Sequence, residues 1–191
     1  MRNRQIRESI VRGYNELIEN YVVDGYQPFF LNFMFNPIAA SNGQRQEIMV
    51  SQVTRVHDIL CRHMVRRPNA EAWQFLRPIF LGCHDLPVWK HTKGPIRDFL
   101  INNGWHFNAI ALTRPPARTD MHIKVQELLW GKQSRLTVPL DEHFRAQPKF
   151  YSNDVLARIH ATPITEGTMA DYMLKTFKHG RVDADSIQIW N

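Results

Sequence analysis

The segment Gly104-Trp105-His106-Phe107-Asn108-Ala109-Ile110-Ala111-Leu112 is the stretch from which the fold of this chain is predicted. A β-strand here places His106 and Asn108 on one face and the aromatic rings of Trp105 and Phe107 on the other, because side chains alternate along a strand. The imidazole and the carboxamide then lie roughly 6 to 7 Å apart at the backbone and can converge on one metal ion or phosphate. The alternative is a half-buried strand in which both polar residues are hydrogen-bonded within the protein.

The composition indicates one folded domain. Of 191 residues, 43% are hydrophobic and 11% aromatic, and no low-complexity tract interrupts them, which argues against a disordered chain. No apolar run approaches the roughly 18 to 20 residues of a membrane span, and no signal core follows the N-terminus, so we expect a cytoplasmic protein without membrane association. Cys61 and Cys83 lack a paired spacing, which predicts free thiols in a reducing compartment.

The charge of the chain favours an anionic partner. A formal net charge of +6 and a pI near 9.6 are typical of proteins that bind nucleic acid. Basic residues also occur in local groups, and a solvated surface is the alternative explanation of such groups. The candidate phosphate contacts are Lys90, Lys93, Arg114, Arg118, Lys178 and Arg181.

Hydrophobic periodicity predicts an alternation of helices and strands. Predicted helices cover residues 4–21, 46–66, 94–103, 120–131 and 165–179. Predicted strands cover residues 27–36, 74–83, 104–112 and 154–164, with a short extended piece at 136–140 and an edge strand at 186–190. His57 and His63 of the second helix are expected on its exposed side.

This order of elements predicts an α+β fold. The expected architecture is a central antiparallel sheet covered by helices mainly on one face, with an additional helix at the N-terminus. We treat residues 1–191 as a single domain, in which 1–26 form a helical extension, 27–180 the core, and 181–191 a tail or edge strand.

Three motifs occur in a characteristic order along the chain. They are the apolar strand Phe29-Phe30-Leu31-Asn32-Phe33-Met34-Phe35, the triplet His106-Phe107-Asn108, and the helical segment Tyr172-Met173-Leu174-Lys175. Together they resemble the HUH endonucleases, the superfamily of replication initiators, relaxases and transposases. That family has His-apolar-His on the strand and Tyr-x-x-Lys on the helix. The segment Leu128-Leu129-Trp130-Gly131 is similar to a helix end of plasmid and phage initiators.

The resemblance spans roughly residues 28–180 and implies a ferredoxin-like or RRM-like nuclease core. It implies nicking and strand transfer of single-stranded DNA during replication initiation of a plasmid, phage or mobile element. Tyr172 is then the nucleophile, Lys175 neutralises phosphate charge, and His106 with Asn108 binds Mg²⁺ or Mn²⁺. Implied partners are single-stranded or origin DNA and a host helicase, because the chain has no room for a helicase domain.

Two departures from the family pattern bear on catalysis. Asn108 replaces the second histidine, and a carboxamide oxygen is a weaker ligand than imidazole. The family often supplies an acidic ligand from the preceding strand, but the corresponding predicted strand of this chain contains no carboxylate. His84 or Asp85, just after that strand, is the candidate third ligand. The alternative is that these two residues only form a turn. Alternative functions are a catalytically disabled HUH-like fold that binds DNA, and an unrelated helix-covered sheet that binds RNA or protein.

Overall fold

A computed structural model describes residues 2–85, 102, 105–117, 131–165 and 169–191. These residues form helices and strands in an α+β arrangement. The helices are α1 Arg2–Val23, α2 Asn42–Met64, α3 Leu140–Ala146, α4 Pro148–Tyr151, α5 Met169–Met173 and α6 Lys175–Lys178, with 3-10 turns at Glu71–Leu76 and Ala184–Ser186. The strands are β1 Gln27–Phe35, β2 Ile79–Asp85, β3 His106–Thr113, β4 Leu156–Pro163 and β5 Ile187–Trp190.

The strands form one antiparallel sheet in the order β4-β1-β3-β2-β5. The first four strands therefore have the order of a ferredoxin-like βαββαβ unit, and β5 adds an edge. The expected α+β fold, its antiparallel sheet and its N-terminal helix are confirmed. The predicted edge strand at the C-terminal end of the chain is also present.

The sheet is apolar on both faces, so helices cover both rather than mainly one. Phe29, Leu31 and Phe33 of β1 face a core that includes α2, α3 and α4, and this side is called the α2 face. Ile110 and Leu112 of β3 face a second core that includes α1, α5 and α6, and this side is called the α1 face. A strand such as β3, which is buried along almost its whole length, needs an apolar layer on each side.

Helix α2 begins where the sequence provides a complete N-terminal cap. The Ser41 hydroxyl accepts a hydrogen bond from the Gln44 backbone N–H, and the Gln44 side chain accepts one from the Ser41 backbone N–H. This reciprocal pair satisfies two donors of the first turn, which otherwise lack partners inside the helix. The helix therefore starts several residues before the predicted position.

Several local predictions differ from the structure. The predicted strand 74–83 starts only at Ile79, because residues 71–76 form a 3-10 turn, and it extends to Asp85. Residues 136–140 contain no strand, and α3 begins at Leu140. The predicted helix 165–179 is divided at Leu174 into α5 and α6. The predicted helix 94–103 lies outside the described residues apart from Asn102, and the predicted helix 120–131 lies outside them apart from Gly131.

The two histidines of α2 are not on its exposed side. His57 is buried, with Nε2 2.9 Å from the carbonyl oxygen of Pro78, and His63 is half-buried against Tyr151. Both thiols are free, as predicted, and both are buried. In the part of the chain that the structure describes, no helix combines the length and the apolar character that a membrane crossing requires.

Gly82 of β2 leaves no room for a side chain between itself and β3. A Cβ at this position would overlap the Phe107 ring and lie 2.9 Å from the Asn108 carbonyl oxygen. We expect Gly82→Ala to lower the free energy of unfolding by about 1–3 kcal/mol through overpacking, measured by chemical denaturation.

Gly13→Ala is the matched control for Gly82→Ala. Beyond the neighbouring backbone of α1 itself, no described atom lies within 4 Å of the added methyl group, so this variant should gain up to about 1 kcal/mol from helix propensity. Equal stability of the Gly82→Ala protein and the wild type would contradict the tight packing.

Candidate functional site

A polar cluster lies on the α1 face of the sheet, where apolar residues otherwise predominate. It consists of Asn32 on β1, Asp85 on β2, His106 and Asn108 on β3, and Thr176 on α6. The strand registers explain the convergence, because Asn32 pairs with Asn108 and Asp85 pairs with His106 across neighbouring strands. Four residues from three strands therefore meet at one place under α6.

Hydrogen bonds connect the cluster around the Asp85 carboxylate. Asn32 Nδ2 donates to Asn108 Oδ1 at 2.8 Å, and Asn108 Nδ2 donates to Asp85 Oδ2 at 3.0 Å. His106 Nε2 lies 3.2 Å from the same carboxylate oxygen, and the Thr176 hydroxyl donates to Oδ1. An ionised carboxylate only accepts hydrogen bonds, so Asp85 orients the Asn108 amide with its NH₂ toward β2.

The electrostatics of the cluster favour an ionised Asp85. Burial alone raises the pKa of this carboxyl, but hydrogen bonds from His106 and Thr176, together with the charge of Lys175, outweigh that effect and hold the pKa below its usual value. Cys83, which pairs with Asn108, responds in the opposite way: burial and the neighbouring Asp85 charge raise its pKa to about 12. The site thus contains a buried negative charge beside a neutral thiol.

Tyr172 and Lys175 lie over this same face of the sheet. The Tyr172 ring is 61% exposed and packs edge-on against Phe30, with ring centroids 5.0 Å apart. Phe30 precedes Asn32 by two residues on β1, so both side chains point to the α1 face. Lys175 lies on the other side of the break at Leu174 and is close enough to Asp85 to lower its pKa.

His84 does not join the cluster. As the neighbour of Asp85 on β2 it points to the α2 face, where its buried Nε2 lies 3.0 Å from the Gln46 carbonyl oxygen. Asp85 was predicted to lie just after the strand, but it is the last residue of β2, so the strand does contain a carboxylate. Sequence reasoning also missed Asn32 and Thr176; the signal for Asn32 was a single amide in the apolar strand Phe29 to Phe35.

The candidate phosphate contacts lie in different surroundings. The Arg114 guanidinium stacks 4.0 Å from the Tyr26 ring centroid and donates to the Phe75 and Asp24 carbonyl oxygens. Lys178 forms an ion pair of 3.0 Å with Asp171, whereas Arg181 is exposed. Lys90, Lys93 and Arg118 lie outside the described residues.

The cluster contains two oxygen donors of the kind that hard divalent cations prefer and one imidazole, which is a borderline ligand. Asp85 contributes a carboxylate, His106 an imidazole that is 28% exposed, and Asn108 a carboxamide. Within the described ranges, no group of three or more His, Cys, Asp or Glu side chains is arranged to hold a metal. A cation here would therefore depend on the Asp85–His106 pair.

Comparison of the chain with protein-family models, with curated proteins and with solved structures found no match. The function is therefore inferred from the geometry of the residues.

The lowered pKa of Asp85 makes part of the stability depend on pH. The pKa of Asp85 is lower in the folded protein than in the unfolded chain, where an aspartate has a pKa of about 3.9. The ionised carboxylate therefore stabilises the fold at pH values above about 3.9. This stabilisation is lost as the pH falls through the pKa of the folded state. Thr176→Val removes one donor, so the Asp85 pKa should rise and the free energy of unfolding at pH 7 should fall by about 1–3 kcal/mol. The loss should shrink near about pH 2, where the carboxyl is protonated in both states.

Thr162→Val, at an exposed position of β4, is the matched control for Thr176→Val and should change stability little at either pH. Denaturant titration at the two pH values measures both variants. A loss in the Thr176 variant that is independent of pH would show that the hydroxyl acts through packing and not through the carboxylate.

Proposed function

We propose that this protein nicks single-stranded DNA and transfers the cut strand through Tyr172, in the replication of a plasmid, phage or mobile element. The supporting observation is that Asp85, His106 and Asn108 converge on the sheet face over which Tyr172 and Lys175 lie. Apart from Asn108, which stands where the HUH class has its second histidine, these residue types and element types resemble those of a tyrosine endonuclease of that class.

Asp85 and His106 would hold a divalent cation, Mg²⁺ or Mn²⁺. Their donor atoms fit such an ion because carboxylate oxygen and imidazole nitrogen are both accepted ligands, and Asp85 is ionised without it. When bound, the ion would act as a Lewis acid toward the scissile phosphate. Asn108 donates to Asp85 in this arrangement, so its role is to orient the carboxylate.

Tyr172 supplies the nucleophilic oxygen. Its exposure allows a phosphodiester to approach the hydroxyl directly, which a core tyrosine would not permit. The tyrosine oxygen forms a bond to phosphorus while the bond from phosphorus to the 3′ oxygen breaks, leaving a 5′-phosphotyrosyl link and a 3′-hydroxyl. The phenol releases its proton to solvent as it attacks, and the departing 3′ oxygen takes up a proton from solvent, so that the step balances. Lys175 carries positive charge beside the site and would neutralise phosphate charge.

The partner in this proposal is single-stranded or origin DNA. Exposed Arg181 and the net charge of +6 favour attraction of a phosphate backbone, and strand opening would fall to a host helicase.

We expect Tyr172→Phe to abolish a covalent protein–DNA adduct. The wild type is incubated with Mn²⁺ and a pool of end-labelled single-stranded oligonucleotides, and adducts are resolved by denaturing electrophoresis. Tyr21→Phe, which removes a hydroxyl from α1 and keeps the ring, should retain the full yield. An adduct that persists in Tyr172→Phe would assign the nucleophile elsewhere; no adduct from the wild type with any oligonucleotide would argue against nicking.

A second candidate function is a DNA-binding module with a disabled catalytic site. The observation in its favour is that both Asp85 oxygens already have protein partners. Oδ1 accepts a hydrogen bond from Thr176, and Oδ2 accepts one from Asn108 and lies 3.2 Å from His106 Nε2. A carboxylate satisfied in this way is stable as a structural group without a metal.

Binding of Mn²⁺ separates the two candidates. If the site is catalytic, substoichiometric Mn²⁺ should broaden the His106 ring resonances in NMR spectra much more than those of His57, which is buried on the α2 face. If the protein is a binding module, salt-sensitive DNA affinity should persist in chelator and Mn²⁺ should leave His106 unchanged.

A further inference from the structure

A surface pocket on the α2 face lies on the opposite side of the sheet from the polar cluster. Its volume is about 470 Å³, and it lies between the C-terminal end of α2, the segment that follows residue 131, and helices α3 and α4. Arg62 and His63 line one side, Arg135 the second, and His143 with Phe150 the third. No residue of the Asp85 cluster contributes to this pocket.

Two of the lining residues, His63 and His143, form a hydrogen-bonded triad with Tyr151, which is buried behind them. His63 Nδ1 lies 3.2 Å from His143 Nε2, and the Tyr151 hydroxyl lies 3.0 Å from the first nitrogen and 2.8 Å from the second. Burial and then the proximity of His63 lower the pKa of His143 to about 4, and burial raises the pKa of Tyr151. The triad is therefore neutral at pH 7 and presents polar atoms to the pocket.

The outer part of the pocket is positively charged. Burial lowers the pKa of His63, and the charges of Arg135 and Arg62 lower it further, because both guanidinium groups lie near the imidazole. Among the residues that the structure describes, no Asp or Glu lines the pocket. The Arg135 backbone N–H donates to the Met64 carbonyl oxygen at 2.8 Å, which holds this arginine beside the end of α2. Two arginines and two histidines thus share one concave surface without a carboxylate among the lining side chains.

We propose that this pocket binds the phosphate group of a nucleotide, either free or within a nucleic-acid strand. Arg62 and Arg135 carry the charge, and guanidinium groups match phosphate oxygens with paired donors. His63 and His143 add donors when they gain protons. The exposed ring of Phe150, 5.0 Å from the His63 ring, gives an attached base a surface on which to stack. Because the pocket shares no residue with the Tyr172 site, this inference is independent of the proposed nicking activity.

Binding of an anion should be tighter at lower pH. A phosphate beside His63 and His143 favours their protonated forms, so by linkage their protonation favours the phosphate. The charged groups near the triad include Arg62, Arg135 and Arg55, whose guanidinium donates to the Phe150 and Tyr151 carbonyl oxygens, and all three stay positive over the accessible pH range.

The test follows the ring resonances of His63 and His143 by NMR in the full chain. Inorganic phosphate and a short oligothymidylate are titrated separately at pH 7 and at pH 6. We expect saturable shifts of both rings with at least one probe. Tighter binding at pH 6 is expected for the oligothymidylate, because its phosphodiesters keep their charge over this pH range, whereas inorganic phosphate loses charge. Arg135→Gln should weaken binding by about tenfold or more, since a charge-assisted hydrogen bond is lost.

Arg145→Gln is the matched control. Arg145 lies on α3, is 75% exposed and pairs with Asp141 outside the pocket, so its loss should leave the affinity unchanged. Arg62→Gln replaces Arg135→Gln if the latter unfolds. Shifts with phosphate alone identify a site for a free phosphate, and shifts only with the oligonucleotide identify a strand contact. Absence of saturable shifts with either probe, or equal weakening by the variant and its control, would overturn the proposal.

Discussion

The antiparallel pairing of β3 with β1 on one side and β2 on the other is the constraint on which the rest of this structure depends. Side chains alternate with a period of two, so a slip of one residue in either pairing would exchange every side chain of β3 between the faces. The contact of Gly82 with the Phe107 ring opposes such a slip, because only a residue without a side chain fits there. With the register set, Asn32, Asn108 and Asp85 fall on one face.

That register places the negative charge of Asp85 in a buried position, where neighbouring side chains stabilise it. Isolated burial of a carboxylate is costly, whereas a carboxylate with several donors is stable. Asn108 and Thr176 donate to Asp85, and His106 lies within contact of it, so α6 is connected to the sheet through the same group. Within the described residues, this network satisfies the buried carboxylate with protein donors from one strand and one helix.

The two faces of the sheet carry different chemistry. The α1 face holds the acidic centre with the exposed Tyr172 ring, while the α2 face leads to a pocket with two arginines and the His63–His143–Tyr151 triad. Each face is mostly apolar, and its polar groups are gathered where helices end or break. Such positions combine a rigid sheet with side chains that reach solvent, as functional sites require.

The sequence by itself determined the local elements and their class. Hydrophobic periodicity predicted α1, β1, α2, β3 and the β5 edge. The alternation of side chains along a strand also placed His106 and Asn108 correctly on one face of β3. Both predictions succeed because periodicity and alternation depend only on neighbours along the chain. The residues that contact His106 and Asn108 lie on elements distant in the sequence. Asp85 was expected just beyond its strand, and Thr176 and the opposite orientation of His84 were not predicted at all. Only the tertiary structure decided these points, because register and the end of a strand depend on pairing with residues that are distant in sequence.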